Sequence, residues 1–168
     1  MRRGAATLAC GSAAIAAILA ASFNAFSPRL IYNPSPSAPL GFYLIDRKTP
    51  FKTGDRVAAF APEWARELAD ERGYLPGDLP VIKQVWAMAG DEICAENRAL
   101  FAPGRPPIQA RDSDSLGREM PVWNGCRILQ QGEYLLISND VQGSFDGRYF
   151  GPVTDEGILG RARLVWRH

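Results

Sequence analysis

Lys83 has the least ordinary setting of any reactive side chain in this sequence. Only Lys48, Lys52 and Lys83 are lysines, every other basic side chain being arginine, and Lys83 alone stands in an apolar run, Val81 to Met88. Read as a strand, the run places Val81, Lys83, Val85 and Ala87 on one face and Ile82, Gln84, Trp86 and Met88 on the other. An ammonium held among apolar neighbours is desolvated, which disfavours its charged form. Its pKa then falls toward neutrality, where the free amine can take a proton from a hydroxyl. Periodicity alone favours the opposite outcome, in which the four-carbon stem snorkels and the charged end reaches water or a carboxylate.

The remaining inventory narrows the chemistry. The sole histidine is His168, at the end of the sequence, so a Ser-His-Asp triad would need that position folded into the site. No G-x-S-x-G elbow, H-E-x-x-H pair, P-loop or dinucleotide fingerprint occurs. A hydrolase built from this chain needs a base other than histidine. Cys94 and Cys126 permit one intramolecular disulfide in an oxidising compartment, with two unpaired buried thiols as the alternative. Cys10 lies in an apolar segment and is read as a small buried residue. Without a histidine near the cysteines, neither a metal site nor any other cofactor is expected. Lysine plus arginine number 19 against 18 acidic residues, a balance that gives no footprint for a nucleic-acid partner.

The elements that must position such chemistry begin with a stretch from Gly4 to Ser27 that contains no charged residue and follows Arg2 and Arg3. This predicts a membrane anchor over residues 1–27 and a body, residues 28–168, on the outer side. A cleaved signal ending near Ala20, Ala21 and Ser22 is the competing reading, and both export the body. Pro28, Pro34, Pro36 and Pro39 predict an extended, stiff connector from Pro28 to Pro39. Strands are expected over 41–45, 55–61, 81–88, 132–138 and 158–166, with shorter ones around Ile93, Leu100 and Ile108. One short surface helix should begin at Pro62, with Trp64 and Leu68, and Arg66 and Asp70, at i and i+4, and stop at Gly73. The fold class is mainly β, in a single domain of ordinary size with no internal repeat.

Three segments, in order, resemble a known family. NPSPSAPLGFY (Asn33–Tyr43) is similar to the nucleophile box of the TraF-type conjugative-transfer branch of the bacterial type I signal peptidases. VIKQVWAMAGDEI (Val81–Ile93) is similar to the strand that carries the family's general-base lysine. SFDGRYFGPV (Ser144–Val153) resembles its C-terminal Ser-x-Asp-x-Arg-Tyr-x-Gly box. Residue 147 is Gly where many relatives have Ser, and the lead-in reads SNDVQGS rather than opening with Gly-Asp-Asn. Pro36 replaces a glycine common in the housekeeping enzymes. No family motif is assigned to Pro62–Gly77 or Asp112–Trp123.

The resemblance implies a signal-peptidase-like β-barrel or sheet catalytic domain behind one transmembrane helix. It implies Ser37 as nucleophile and Lys83 as its base, with the Ser35 hydroxyl and the Ser37 N–H stabilising the oxyanion. Ser144 would hold Lys83, and Asp146 and Arg148 would form an ion pair beneath them. It further implies an inner-membrane enzyme facing the periplasm, whose partners are membrane lipid and an exported precursor, in this branch a pilin precursor that some members cyclise. Eleven residues between Phe26 and Ser37 would leash the nucleophile within roughly 36 Å of the bilayer at about 3.3 Å per residue, and the connector Asn33–Pro39 could pair with an extended substrate. Two rival readings are a self-cleaving Ser-Lys protein of the LexA type, which expects a cytosolic chain, and a non-catalytic exported β-domain of a conjugation or secretion apparatus.

Overall fold

The computed structural model describes residues 30–167. The anchor expected within residues 1–27 and the domain boundary after it lie outside them, and no helix among the described residues is long and apolar enough to cross a membrane.

Two antiparallel sheets form the body. The larger has seven strands, β1 (Leu30–Asn33), β2 (Gly41–Asp46), β3 (Arg56–Ala59), β4 (Val81–Met88), β9 (Glu133–Ile137), β10 (Val153–Thr154) and β11 (Ile158–Arg167), in the spatial order β1-β2-β11-β3-β4-β9-β10. The smaller is β7-β6-β5-β8, built from β5 (Glu92–Glu96), β6 (Ala99–Phe101), β7 (Ile108–Gln109) and β8 (Gly125–Ile128). Helix α1 (Glu63–Glu71) follows Pro62 and buries Ala65 and Ala69; a short α2 (Gly147–Phe150) follows Asp146. The mainly β class and the single short surface helix of the sequence reading agree with this architecture.

Strict alternation forms β2, whose burial reads in and out along Gly-Phe-Tyr-Leu-Ile-Asp. Its first residue must be glycine. Gly41 has φ +140°, and a Cβ there would sit 2.0 Å from the Trp166 carbonyl oxygen of β11. One core packs Val57, Val85, Leu136, Phe150 and Val153 below β3, β4 and β9. A second joins Trp86, Ala87 and Leu135 to Ile93 and Leu100 of the smaller sheet.

The connector read as extended throughout Pro28 to Pro39 is corrected. Leu30 to Asn33 pair with Leu44 to Gly41 as an edge strand, and the chain then turns rather than continuing extended. The prolines at 28 and 34 bracket this tetrapeptide, whose Ile31 and Asn33 are buried while Leu30 and Tyr32 face out. The eleven-residue leash is therefore shortened, because residues 30–37 of it belong to the domain. A second correction concerns β4: the register shifts between Val85 and Ala87, so Ala87 joins Trp86 in the second core instead of sharing a face with Lys83 and Val85.

The outer face of β1, β2 and β11 exposes Leu30, Tyr32, Phe42, Leu44 and Trp166. Tyr32 and Trp166 both lie opposite Phe42 in register.

In the smaller sheet Cys94 and Cys126 are direct cross-strand partners on β5 and β8 and form a disulfide across a separation of 32 residues. Loop-closure entropy assigns such a link about 3–4 kcal/mol. Urea unfolding of the Cys94→Ala/Cys126→Ala variant is expected to show a loss of about that size, with the larger sheet's near-UV signature retained at zero denaturant.

Candidate active site

Asn33 ends β1 buried, and its side-chain amide donates to the carbonyls of Ser35 (2.9 Å), Ala38 (3.1 Å) and Pro39 (3.2 Å), while its Oδ1 accepts from Ser35 N. These bonds wrap residues 34–39 into a tight turn. The segment is therefore not the extended platform for strand pairing that its prolines suggest. The Ser35 hydroxyl donates to Ser37 Oγ at 3.0 Å and accepts from Ser37 N at 3.3 Å. Pro36 does not keep the two serines apart.

Lys83, in the middle of β4, is 3% exposed. It does not snorkel, and the burial comes from a loop far downstream in sequence. Nζ donates to Ser138 Oγ at 3.0 Å and to Ser144 Oγ. Burial pulls its pKa down from 10.5 to about 8, with Asp146 opposing and Arg148 assisting. No hydrogen bond joins Lys83 to Ser37 in this structure, yet both line two cavities of about 300 and 310 Å³ that meet between them.

The loop that buries Lys83 is tied by Asp146 and Arg148. Asp146 is fully buried and accepts from Ser138 N (2.9 Å), Arg148 Nε (2.8 Å) and Arg148 Nη2 (2.7 Å). Arg148 in turn donates to the carbonyls of Ser138, Val141 and Gln142. One ion pair thus fastens both ends of the segment that presents Ser138 and Ser144. Gly147 fits tightly beside it: a Cβ there would lie 2.7 Å from Leu135 Cδ1 and 2.9 Å from the Leu136 carbonyl oxygen. This chain has no room for the serine that many relatives carry at that position.

The first of these cavities runs from Ser37 under α1 and is walled by the two segments to which no motif was assigned. Asp114 locks them together. Its carboxylate accepts from Tyr74 Oη at 2.6 Å, Arg118 Nε at 2.6 Å, and the backbone of Leu116 and Arg118 at 2.9 Å each. The Tyr74 hydroxyl above all holds this carboxyl well below the usual carboxylate range. Asp114→Asn is expected to loosen this wall, and hydrogen–deuterium exchange across residues 112–120 would check it as faster amide exchange than in the wild type.

Sequence reasoning passed over Asn33, Ser138, Tyr74 and Asp114. For Asn33 a signal existed, since an asparagine preceding a proline-rich stretch favours a turn. Ser138 entered only as the end of a strand and as the first residue of the SNDVQGS lead-in, with no role.

A lysine stripped of water beside paired serines, set in an antiparallel β fold, accords with the sequence profile described as "Signal peptidase, peptidase S26", which the chain matches over residues 4–167. The protein belongs to the S26 signal peptidase family. Its relatives are transfer proteins. It is 35% identical over 144 residues to the conjugal transfer protein TraF of Agrobacterium fabrum, covering 80% of each chain. It is 35% identical over 163 residues to the probable conjugal transfer protein TraF of Sinorhizobium fredii, covering 91% of this chain and 83% of that one. A plasmid transfer protein TraF of Escherichia coli is 33% identical over 147 residues, covering 80% and 82%. The crystal structure of a signal peptidase I from Enterococcus faecalis aligns with a TM-score of 0.40 and 17% identity, covering 69% of this chain and 98% of that one.

Proposed function

We propose that this chain is a membrane-anchored serine endopeptidase that removes the signal or propeptide of an exported precursor, with a conjugative pilin precursor as its substrate. The observation that carries the reading is the state of Lys83: buried, lowered to a pKa of about 8, held by two hydroxyls, and opening on the same cavities as Ser37. At pH 7 about one amine in ten is then neutral, against a few in ten thousand for an ordinary lysine.

In this mechanism Lys83 Nζ takes the proton of Ser37 Oγ as that oxygen attacks the scissile carbonyl. The Ser37 N–H and the Ser35 hydroxyl, which engage one another or the Ser37 hydroxyl at rest, turn to the carbonyl oxygen as it gains charge. The lysine returns the proton to the leaving amine, and water, or an amine of the substrate itself, releases the acyl group. Residues 1–27 would anchor the enzyme in the inner membrane with residues 28–168 on the periplasmic side. The exposed aromatic face of β1, β2 and β11 supports that placement, since tyrosine and tryptophan favour the bilayer interface.

One observation favours the rival, a non-catalytic exported β-domain: Lys83 and Ser37 are not hydrogen-bonded to each other. Co-expression with candidate pilin precursors, read by intact mass of the pilin, separates the two. Loss of processing in Ser37→Ala at unchanged protein level supports the peptidase, and a mature mass short by one water supports cyclisation. Processing that survives in Ser37→Ala refutes the assigned nucleophile.

A further inference from the structure

We infer that Ser138 is a positioning residue that, with Ser144, fixes the direction in which the Lys83 amine offers its lone pair. The inference rests on the peptidase reading and adds a residue to it.

A neutral amine has four tetrahedral directions: one bond to Cε, two N–H bonds and one lone pair. With a single acceptor, one N–H is committed and the lone pair can take either of the two directions that remain. Two acceptors commit both N–H bonds and leave one direction. Nζ has two, Ser138 Oγ at 3.0 Å and Ser144 Oγ. Both serines sit on the loop between β9 and α2, and Lys83 lines the two cavities that also reach Ser37, toward which the remaining lone pair is inferred to point.

Ser138 is itself held at both ends of its peptide unit. Its N–H donates to Asp146 and its carbonyl accepts from Arg148 Nη2 at 3.1 Å. Its hydroxyl, by contrast, has Lys83 as its hydrogen-bond partner among the described residues. Removing that hydroxyl leaves the backbone clasp in place, so the effect on the amine is separable from the effect on the fold.

The charges that face the amine are Asp146 and Arg148 from its own side. Arg56, Asp140 and Arg167 line the second cavity, and Arg66, Arg111 and Asp114 line the first. None of them changes in a Ser138 variant. A hydroxyl acceptor binds an ammonium N–H more strongly than an amine N–H, so its loss favours the neutral form and moves the lysine midpoint down.

The test uses the full chain, labelled with nitrogen-15 at lysine Nζ, titrated by NMR. Three lysines give three signals, and that of Lys83 is assigned by its absence in Lys83→Met. Ser138→Ala is expected to lower the Lys83 midpoint by roughly half to one pH unit. It should also slow processing of the precursor that the wild type cleaves by about tenfold at unchanged KM, with the acid limb of the rate profile following the midpoint. Ser138→Thr, which keeps the hydroxyl, should restore both. A midpoint that stays at the wild-type value in Ser138→Ala overturns the inference, as does a lowered midpoint with the wild-type rate. The peptidase reading fails separately, by processing that persists in Ser37→Ala, and the titration is independent of that result.

Discussion

Lys83→Met is expected to abolish processing and at the same time to raise the melting temperature at pH 7. The loss follows from the proposed chemistry, because general-base assistance is worth about 10²–10⁴ in rate and no other amine or imidazole lines the cavities that reach Ser37 among the described residues. The gain follows from burial. A pKa drawn from 10.5 to about 8 means that the folded state penalises the charged lysine by about 3 kcal/mol. Methionine fills similar volume without a charge, and part of the gain is given back by the Ser138 and Ser144 hydroxyls that lose their partner.

The pH dependence has a defined sign. Below pH 8 both folded and unfolded lysine are charged and the penalty is fully present. Between pH 8 and 10.5 the unfolded chain still holds the proton that the folded one has lost, so wild-type stability rises with pH relative to the variant. Above 10.5 the penalty is gone. Urea unfolding of both proteins at pH 7, 8, 9 and 10 should therefore show a gap that is constant to about pH 8 and then narrows. A variant less stable than wild type at pH 7 would mean that the two serine bonds outweigh desolvation and that the lysine is not strained toward neutrality.

The largest loss of stability is expected from Asp146→Ala, about 3–5 kcal/mol. Asp146 is fully buried and Arg148 nearly so, and removing the carboxylate leaves a cation in the interior and the Ser138 N–H without an acceptor. Because those same bonds clamp residues 138–148, the loop over Lys83 should loosen with them. Replacing both partners, as Asp146→Ala/Arg148→Met, should recover part of the stability but none of the activity, since the loop carbonyls of Ser138, Val141 and Gln142 would lose their shared donor. Chemical unfolding of the single and double variants measures the first claim. A single variant within 1 kcal/mol of wild type would show that the loop is held by something else.

How far sequence reading reached depended on whether a residue's fate was decided locally. Helix α1 was legible because Pro62 and Gly73 delimit it and Trp64 and Leu68, and Arg66 and Asp70, stand at i and i+4, although the helix buries Ala65 and Ala69 and leaves Trp64 exposed. Strand β8 was not: all four of its residues are exposed, so it carries no hydrophobic period, and only its pairing with β5 makes it a strand. The burial of Lys83 is the sharpest case. Spacing in β4 leaves burial and snorkelling both open, and the side chain is buried by Ser138 and Ser144, some sixty residues on. The resemblance implied that Ser144 holds Lys83 and that Asp146 pairs with Arg148, and it gave Ser138 no role. The wall that Asp114 builds with Tyr74 lay beyond either kind of reading, since it joins two segments without a motif across 40 residues.

The position of β11 bears on how the protein comes into being. Neighbours in sequence, β2 and β3 do not touch in the sheet; β11 lies between them, with Ala162 opposite Ile45 and Arg161 opposite Val57. In the proposed export of the body from residue 28 onward, β2 and β3 keep open edges until residues 158–167 have followed. The Ser37 turn hangs from β1 and β2, and Lys83 hangs from β4 on the far side of that gap. Juxtaposition of the two thus waits on the most non-local pairing in the molecule, a slow step by its contact order. A nascent chain carries every reactive group long before it carries a site.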